Sequence, residues 1–247
     1  MNMSGIVEKP KILTEVVPIS EKLENASALE RIGWGVENFG EGLVMSSSFG
    51  AQSAVMLHMV STLAPAVPII LVDTGYLFPE TYQFIENLQR RLDLNLRIFL
   101  PGITAARQEV LYGKLWEQGK TGIEKYNLIN KVEPMNRALK KLGAKGWLAG
   151  HRRDQSSTRK HLEVVMKQGN ITKIHPIIDR TDREIYQYLT NNNLPYRPLW
   201  EQGYVSIGDK HSTSPLQEDM SLEETRFNGE KRECGLHEIS GQPDFMI

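Results

Sequence analysis

A mostly parallel β-sheet with helices on both faces is the fold class this sequence predicts, and three observations predict it. Short apolar runs alternate with helical patterns between residue 42 and about residue 191. The runs are continuously apolar, as in parallel strands covered on both sides. Each is followed by a turn of small, hydroxyl or charged residues, the punctuation of βα units.

The elements follow in order. The first 19 residues have weak periodicity and scattered charges (Glu8, Lys9, Lys11), and read as a loose arm. Ser27 with Glu30 three residues on is a capping box that opens a helix through Val36, weakened by Gly33 and Gly35. Residues 42–45 read as a strand, 46–50 as a small-residue turn and 51–63 as a largely buried helix. A second strand covers 68–72. Pro79 suits a first helical position and opens an amphipathic helix over 79–92. A strand follows at 95–100, then helices at 104–112 and 134–142, the latter ending at a C-capping Gly143. Residues 146–149 form a strand that runs into a charged turn. Residues 163–167 and 171–175, joined through Gln168-Gly169-Asn170, read as a hairpin. Thr181 with Glu184 is a second capping box, starting a helix to about Asn191. Periodicity then fades. The chain divides into an N-terminal arm with the start of the first helix (1–30), an α/β domain (31–195) and a C-terminal tail (196–247).

Composition narrows the function. The 247 residues carry 29 Lys and Arg against 30 Asp and Glu, a formal charge of −1. Nucleic-acid coating needs a basic excess, so no nucleic-acid partner is expected. No apolar run approaches the ~20 residues of a membrane span, and the N-terminus lacks a signal-peptide core; a cytoplasmic protein without membrane association is expected. Cys234 is the only cysteine. It excludes an intrachain disulfide and any all-cysteine zinc or iron–sulfur site within one chain. His151 and His161 have no carboxylate at ligand spacing, so no metal site is expected.

In sheets of this class ligands bind at the carboxyl ends of the strands. Three turns would gather there. Ser46-Ser47-Ser48-Phe49-Gly50 sits between strand and helix, where backbone N–H groups and the helix dipole favour an anion, or where a serine merely caps the helix. It lacks the lysine of a P-loop. Asp73-Thr74-Gly75 ends the second strand; Asp73 could accept from a ribose hydroxyl or an amine, or simply form a turn. His151 to His161 is the densest basic stretch. Its Arg152, Arg153 and Arg159, interleaved with Gln155 and Ser156, match phosphate and sulfate oxygens, against the alternative of a solvated face. Lys131 could add a cation. Cys234 lies among Lys231, Arg232 and His237, neighbours that raise the thiolate fraction, with Glu233 opposing them. With no second cysteine, any redox cycle must use an outside thiol.

Six stretches in order, across roughly residues 43–238, resemble the assimilatory sulfonucleotide reductases, in particular the phosphoadenylyl sulfate (PAPS) reductases of the thioredoxin-dependent, cluster-free branch. They are the serine turn; Asp73 to Thr81; Glu124-Lys125-Tyr126-Asn127 through Lys131 to Met135; Arg152-Arg153-Asp154-Gln155-Ser156; Ser206-Ile207-Gly208-Asp209; and Glu233-Cys234-Gly235-Leu236-His237. The resemblance implies a Rossmann-like adenine-nucleotide α-hydrolase fold with a mobile C-terminal tail. The serine turn would be a modified pyrophosphate loop holding the phosphosulfate. Cys234 would be the catalytic nucleophile. Reductive cleavage of PAPS would give sulfite and adenosine 3′,5′-bisphosphate, with thioredoxin or glutaredoxin as reductant and a homodimer as the assembly. Lys131, Arg152, Arg153 and Arg159 would bind the sulfate and phosphates, and Arg226, Lys231, Arg232 and His237 would arrive with the tail. Asp209 and Ser212 stand where cluster-bearing adenylyl sulfate (APS) reductases have cysteines, and the cysteine pair ahead of Lys131 is also missing, so no cluster is expected and PAPS is favoured over APS. Departures from the family pattern are His151 before the arginine pair and Arg180 after Ile177-Ile178-Asp179. The alternatives are a cluster-free APS reductase, an adenylating ATPase of the same fold, for which Phe49-Gly50-Ala51-Gln52-Ser53 lacks the acidic loop end, and a non-catalytic nucleotide-binding module.

Overall fold

The structure, a computed structural model, describes residues 16–196, 198–221 and 224–225. A six-stranded sheet in the order β3-β2-β1-β4-β6-β5 forms its centre, from β1 (Leu43–Ser46), β2 (Ile69–Val72), β3 (Leu96–Phe99), β4 (Gly146–Ala149), β5 (Val165–Gln168) and β6 (Ile171–Ile174). All pairings are parallel except the β5–β6 hairpin at one edge. The hairpin register sets Gln168 opposite Ile171, so Gly169, at φ 60°, and Asn170 make the turn.

Two cores cover the faces. One packs Leu43, Met45, Leu71 and Leu148 against α2 (Ala28–Phe39), α3 (Ala54–Leu63), α4 (Pro79–Leu92) and α8 (Asp182–Asn191). The other packs Val44, Ile70 and Trp147 against α7 (Glu133–Lys141). Period-2 alternation along β1 divides its residues between the two. Gly146 opens β4 because a Cβ there would sit 2.5 Å from the Phe39 ring. No described helix is long and apolar enough to cross a membrane.

Both capping boxes form. Ser27 and Glu30 cap α2, with Glu30 Oε2 accepting from Ser27 N at 2.7 Å, and Thr181 and Glu184 cap α8 in the same way. The structure corrects the N-terminal reading. The Ser27 helix is the second helix, because α1 (Val16–Glu24) begins inside the stretch read as a loose arm. α1 packs on β5: Leu23 enters the core and Ser20 Oγ accepts from Val165 N. α5 (Ala105–Tyr112) is followed by a helix the periodicity did not announce, α6 (Gly119–Asn127), which runs through a π-helical turn, Leu128–Val132, into α7. The region after Leu194, read as tail, is packed at least in part: Leu199, Ile207, Asp209, Ser212, Thr213 and Thr225 are buried.

One buried group makes stability acid-sensitive. His175, at the end of β6, is fully buried with Nδ1 2.8 Å from Glu163 O. Burial pulls its pKa down from 6.5 to about 4, with the charges of Lys173, Arg159 and Arg153 adding to the effect against the Glu163 contact. Between these values the unfolded chain carries the proton and the folded chain does not. The stabilisation is therefore complete above pH 6.5 and is lost as pH falls toward 4, by about 3 kcal/mol for this one group. Thermal denaturation is expected to show Tm falling across that window, and less steeply in His175→Gln. Equal slopes would assign the acid sensitivity elsewhere.

Candidate active site

The chain runs β1, β2, β3 outward in one direction and then returns to place β4 on the other side of β1. The crevice where strand order reverses lies between the carboxyl ends of β1 and β4, flanked by the serine turn and the turn that starts at His151. The Asp73 turn follows β2, beside β1. Three of the expected turns therefore share one edge, with the N-terminus of α3 pointing toward it.

The serine turn is wound around buried residues. Ser47 N donates to Ile70 O, and Ser47 Oγ accepts from Phe49 N at 3.1 Å. Phe49 has φ 50°, and its ring is wholly inside the core. Its buried ring offers no stacking surface for a base. Gly50 O accepts from both Ser53 N and Ser53 Oγ. Ser48 is exposed. Ser46 departs from the expectation: it belongs to β1 itself, and its Oγ accepts from Trp147 Nε1 at 2.8 Å inside the core on the α7 side. Of the five residues, Ser47, Ser48 and Gly50 thus remain at the crevice with polar groups.

At the β2 turn, Asp73 Oδ1 accepts from Gly75 N at 2.9 Å and from Tyr82 Oη at 2.8 Å. Gly75 supplies the left-handed φ of 77° that the turn needs. Thr74 is buried, and its hydroxyl donates to Asp209 Oδ1 at 2.5 Å. The segment 207–213 crosses this turn as a strap. Leu77 and Asp209 form an isolated antiparallel bridge, and Lys210 N donates to Tyr76 O. His211 stacks flat on Trp116, 3.8 Å between centroids, with the Tyr126 and Tyr76 rings edge-on. Phe78 packs against Tyr204, in a cluster with Ala51, Leu199 and Ile207.

Each of three candidate cations meets a carboxylate. Lys131 is turned inward on the π-helical turn, which reciprocal amide bonds between Gln108 and Asn130 clasp to α5, at 3.0 and 2.9 Å. Its Nζ lies 2.7 Å from Asp209 Oδ2, with both side chains buried. Burial would raise the Asp209 pKa, but Lys131, Thr74 and His211 outweigh it and hold the carboxyl at about 2. Arg152, also buried, donates to Arg180 O, Gln52 Oε1 and Asp182 Oδ1, bridging the start of α3 to the start of α8. Arg153 points the other way, toward α1 and β5: its fork is bidentate on Glu24 and its Nε donates to Leu162 O. The structure therefore does not bring Arg152 and Arg153 together over one anion. Gln155 Oε1 accepts from Arg152 N and from Arg159, and Ser156 Oγ is 2.8 Å from Thr158 Oγ1. Cys234, Arg226, Lys231, Arg232 and His237 lie outside the described residues. Among the described residues no group of three or more His, Cys, Asp or Glu converges as a metal site.

The partners Gln52, Asp182 and Glu24 were missed in the sequence, because pairs more than 25 residues apart leave no local signal. The inward direction of Ser46 was available from the period of the strand.

A doubly wound sheet with three turns gathered at its switch point defines the class, a Rossmann-like α/β protein of the nucleotide-binding type. The same fold is found in the FMN adenylyltransferase of Candida glabrata, with a TM-score of 0.57 at 14% identity over 89% of this chain and 71% of that one. The family is narrower. Residues 42–215 match the phosphoadenosine phosphosulfate reductase domain. A phosphoadenosine 5′-phosphosulfate reductase of Salmonella choleraesuis is 54% identical over 96% of this chain and 98% of its own. One from Serratia proteamaculans is 58% identical over 89% and 90%. The crystal structure of phosphoadenylyl-sulfate reductase from Candida auris, a phosphate complex, superposes with a TM-score of 0.72 at 30% identity, over 87% of this chain and all of that one. The chain belongs to the phosphoadenosine phosphosulfate reductase family.

Proposed function

We infer that the chain is an oxidoreductase that reduces PAPS to sulfite and adenosine 3′,5′-bisphosphate in sulfate assimilation. The observation that carries this is family membership at 54–58% identity over most of the chain; the gathering of three strand-end turns at the switch point of the sheet supports it. The phosphosulfate lies at the serine turn, where Ser47, Ser48 and Gly50 and the N-terminus of α3 receive its charge. The turn from Asp73 to Gly75 holds the nucleotide beside it. Arg152, Gln155, Ser156 and Arg159 close the other flank. The Asp182 side chain is 74% exposed, so an incoming dianion displaces it from Arg152 into water at small cost; Asp209, 1% exposed, stays with Lys131.

Chemistry falls to Cys234. Its thiolate attacks the sulfur of the sulfate group, the bond from that sulfur to the bridging phosphate oxygen breaks, and adenosine 3′,5′-bisphosphate departs, leaving S-sulfocysteine. A thiolate of reduced thioredoxin or glutaredoxin then attacks Cys234 Sγ and expels sulfite. The resulting mixed disulfide is resolved by the second thiol of that reductant, because this chain has no other cysteine. No metal or cluster takes part, and a homodimer is the assembly the family resemblance implies. Sulfite release from PAPS and from APS, side by side with reduced thioredoxin and metal-free protein, tests the assignment. PAPS is expected to turn over faster; faster turnover of APS overturns the substrate, and none with either overturns the activity.

A further inference from the structure

We propose that Asp209 is a positioning residue of the substrate-binding edge, one carboxylate that fixes Lys131 and Thr74 against the turn at the end of β2. The proposal rests on the PAPS reading above and goes beyond it, since Asp209 itself touches no substrate.

Three chain segments meet at this side chain. Oδ1 accepts from Thr74 Oγ1 at 2.5 Å and Oδ2 pairs with Lys131 Nζ at 2.7 Å, while the backbone of the same residue bridges to Leu77. Asp209 is 1% exposed and Lys131 4%. A buried ion pair adds little net stability, because desolvation of both charges offsets their attraction, so geometry is the better account of what it secures. Thr74 is the middle residue of the β2 turn, with its Oγ1 also 3.2 Å from Tyr76 N. Lys131 sits on a π-helical turn, a wide and costly form that recurs at functional sites, and its direction depends on what holds its far end. The molecule offers an internal contrast. Arg31 and Asp179 form a second pair around a fully buried cation, but that guanidinium also ties Leu23 O, Glu24 O and Pro176 O at the α1 flank and touches none of the three turns. That pair is a staple at the α1 flank; the Asp209 pair joins the π-helical turn to the turn at the end of β2.

A staple and a positioning residue differ in what their loss changes. If Asp209 positions ligand groups, Asp209→Asn weakens binding in protein that is folded; if it only staples, the folded fraction falls and the remaining folded protein binds as wild type. The test is the affinity for adenosine 3′,5′-bisphosphate by calorimetry on full-length protein, with KM and kcat for PAPS beside it. Asp209→Asn is expected to raise Kd and KM about tenfold or more, the scale of losing charge-assisted hydrogen bonds, with kcat reduced less than KM is raised. Asp179→Asn is expected to lower Tm and leave Kd within about twofold. Wild-type Kd in folded Asp209→Asn overturns the proposal. Should that variant not fold, Asp209→Glu keeps the charge and shifts its position by one methylene; it is expected to lose affinity as well, and wild-type Kd there overturns the proposal equally. Wild-type protein that releases no sulfite from PAPS sinks the functional reading instead, whatever Asp209→Asn does to binding.

Discussion

Serine in place of Cys234 is expected to reduce sulfite release by several orders of magnitude, the scale seen when a covalent nucleophile is removed, and to leave the affinity for adenosine 3′,5′-bisphosphate unchanged. A hydroxyl is almost wholly protonated at neutral pH, whereas a thiol, with an ordinary pKa of ~8.5, already yields a usable thiolate fraction. The split between lost turnover and kept affinity is what the proposed division of labour predicts, with the anion held at the strand-end turns and the nucleophile supplied from beyond residue 225. Thr225 is buried, and its carbonyl accepts from Ser214 N at 3.0 Å. Cys234 lies nine positions further along the chain, a reach of at most roughly 32 Å. Wild-type protein mixed with PAPS and no reductant is expected to gain about 80 Da, the mass of SO₃, on Cys234 as its covalent intermediate. Retained turnover in the serine variant, or an adduct that maps elsewhere, would refute the assignment.

The second large effect is on stability. Arg31→Met is expected to cost roughly 2–4 kcal/mol, because three backbone carbonyls lose a buried charged donor while the Asp179 carboxylate, 45% exposed, is left partly in solvent, and to lower Tm by about 5 °C or more in a chain of this size. Arg31 is fully buried; it chelates Asp179 through both terminal nitrogens, at 2.8 and 2.9 Å, and donates to three backbone carbonyls. Methionine fills much of the volume and leaves all five acceptors to water or to nothing. Those acceptors lie at the end of α1 and in the 176–179 turn, so the loss is expected to release α1 first, read as faster amide exchange at Ser20 and Leu23. A Tm within about 2 °C of wild type would show the pair to be nearly neutral.

Much of the fold was legible in the sequence, and less of the site. α4 begins at Pro79 and ends at Leu92 as expected, because proline fixes the start and the apolar stripe is unbroken. β4 matches at both ends, since four apolar or small residues lie between Lys145 and a glycine turn. α1 was hidden by Pro18, which sits in the first helical turn where its missing N–H costs nothing. α6 was hidden by Gly119 and Gly122; the second is required because a Cβ there would lie 2.2 Å from Leu115 O, a contact made in three dimensions and invisible in one. At the site, a rule about strand ends sufficed to gather the three turns. The fate of each cation did not follow, because charge is local in sequence while its counter-ion is not: Arg153 finds Glu24 129 positions away.

The strap has a consequence for biosynthesis. Thr74 bonds to a residue 135 positions further along, so the β2 turn and the π-helical turn leave the ribosome well before their clasp exists. Sheet and helices can condense early, but this edge of the sheet is completed only when the last fifth of the polypeptide emerges. Nascent chains arrested before residue 209 would therefore hold a nearly complete scaffold with an unfinished mouth, and the closing of that mouth is the natural candidate for the final step of maturation.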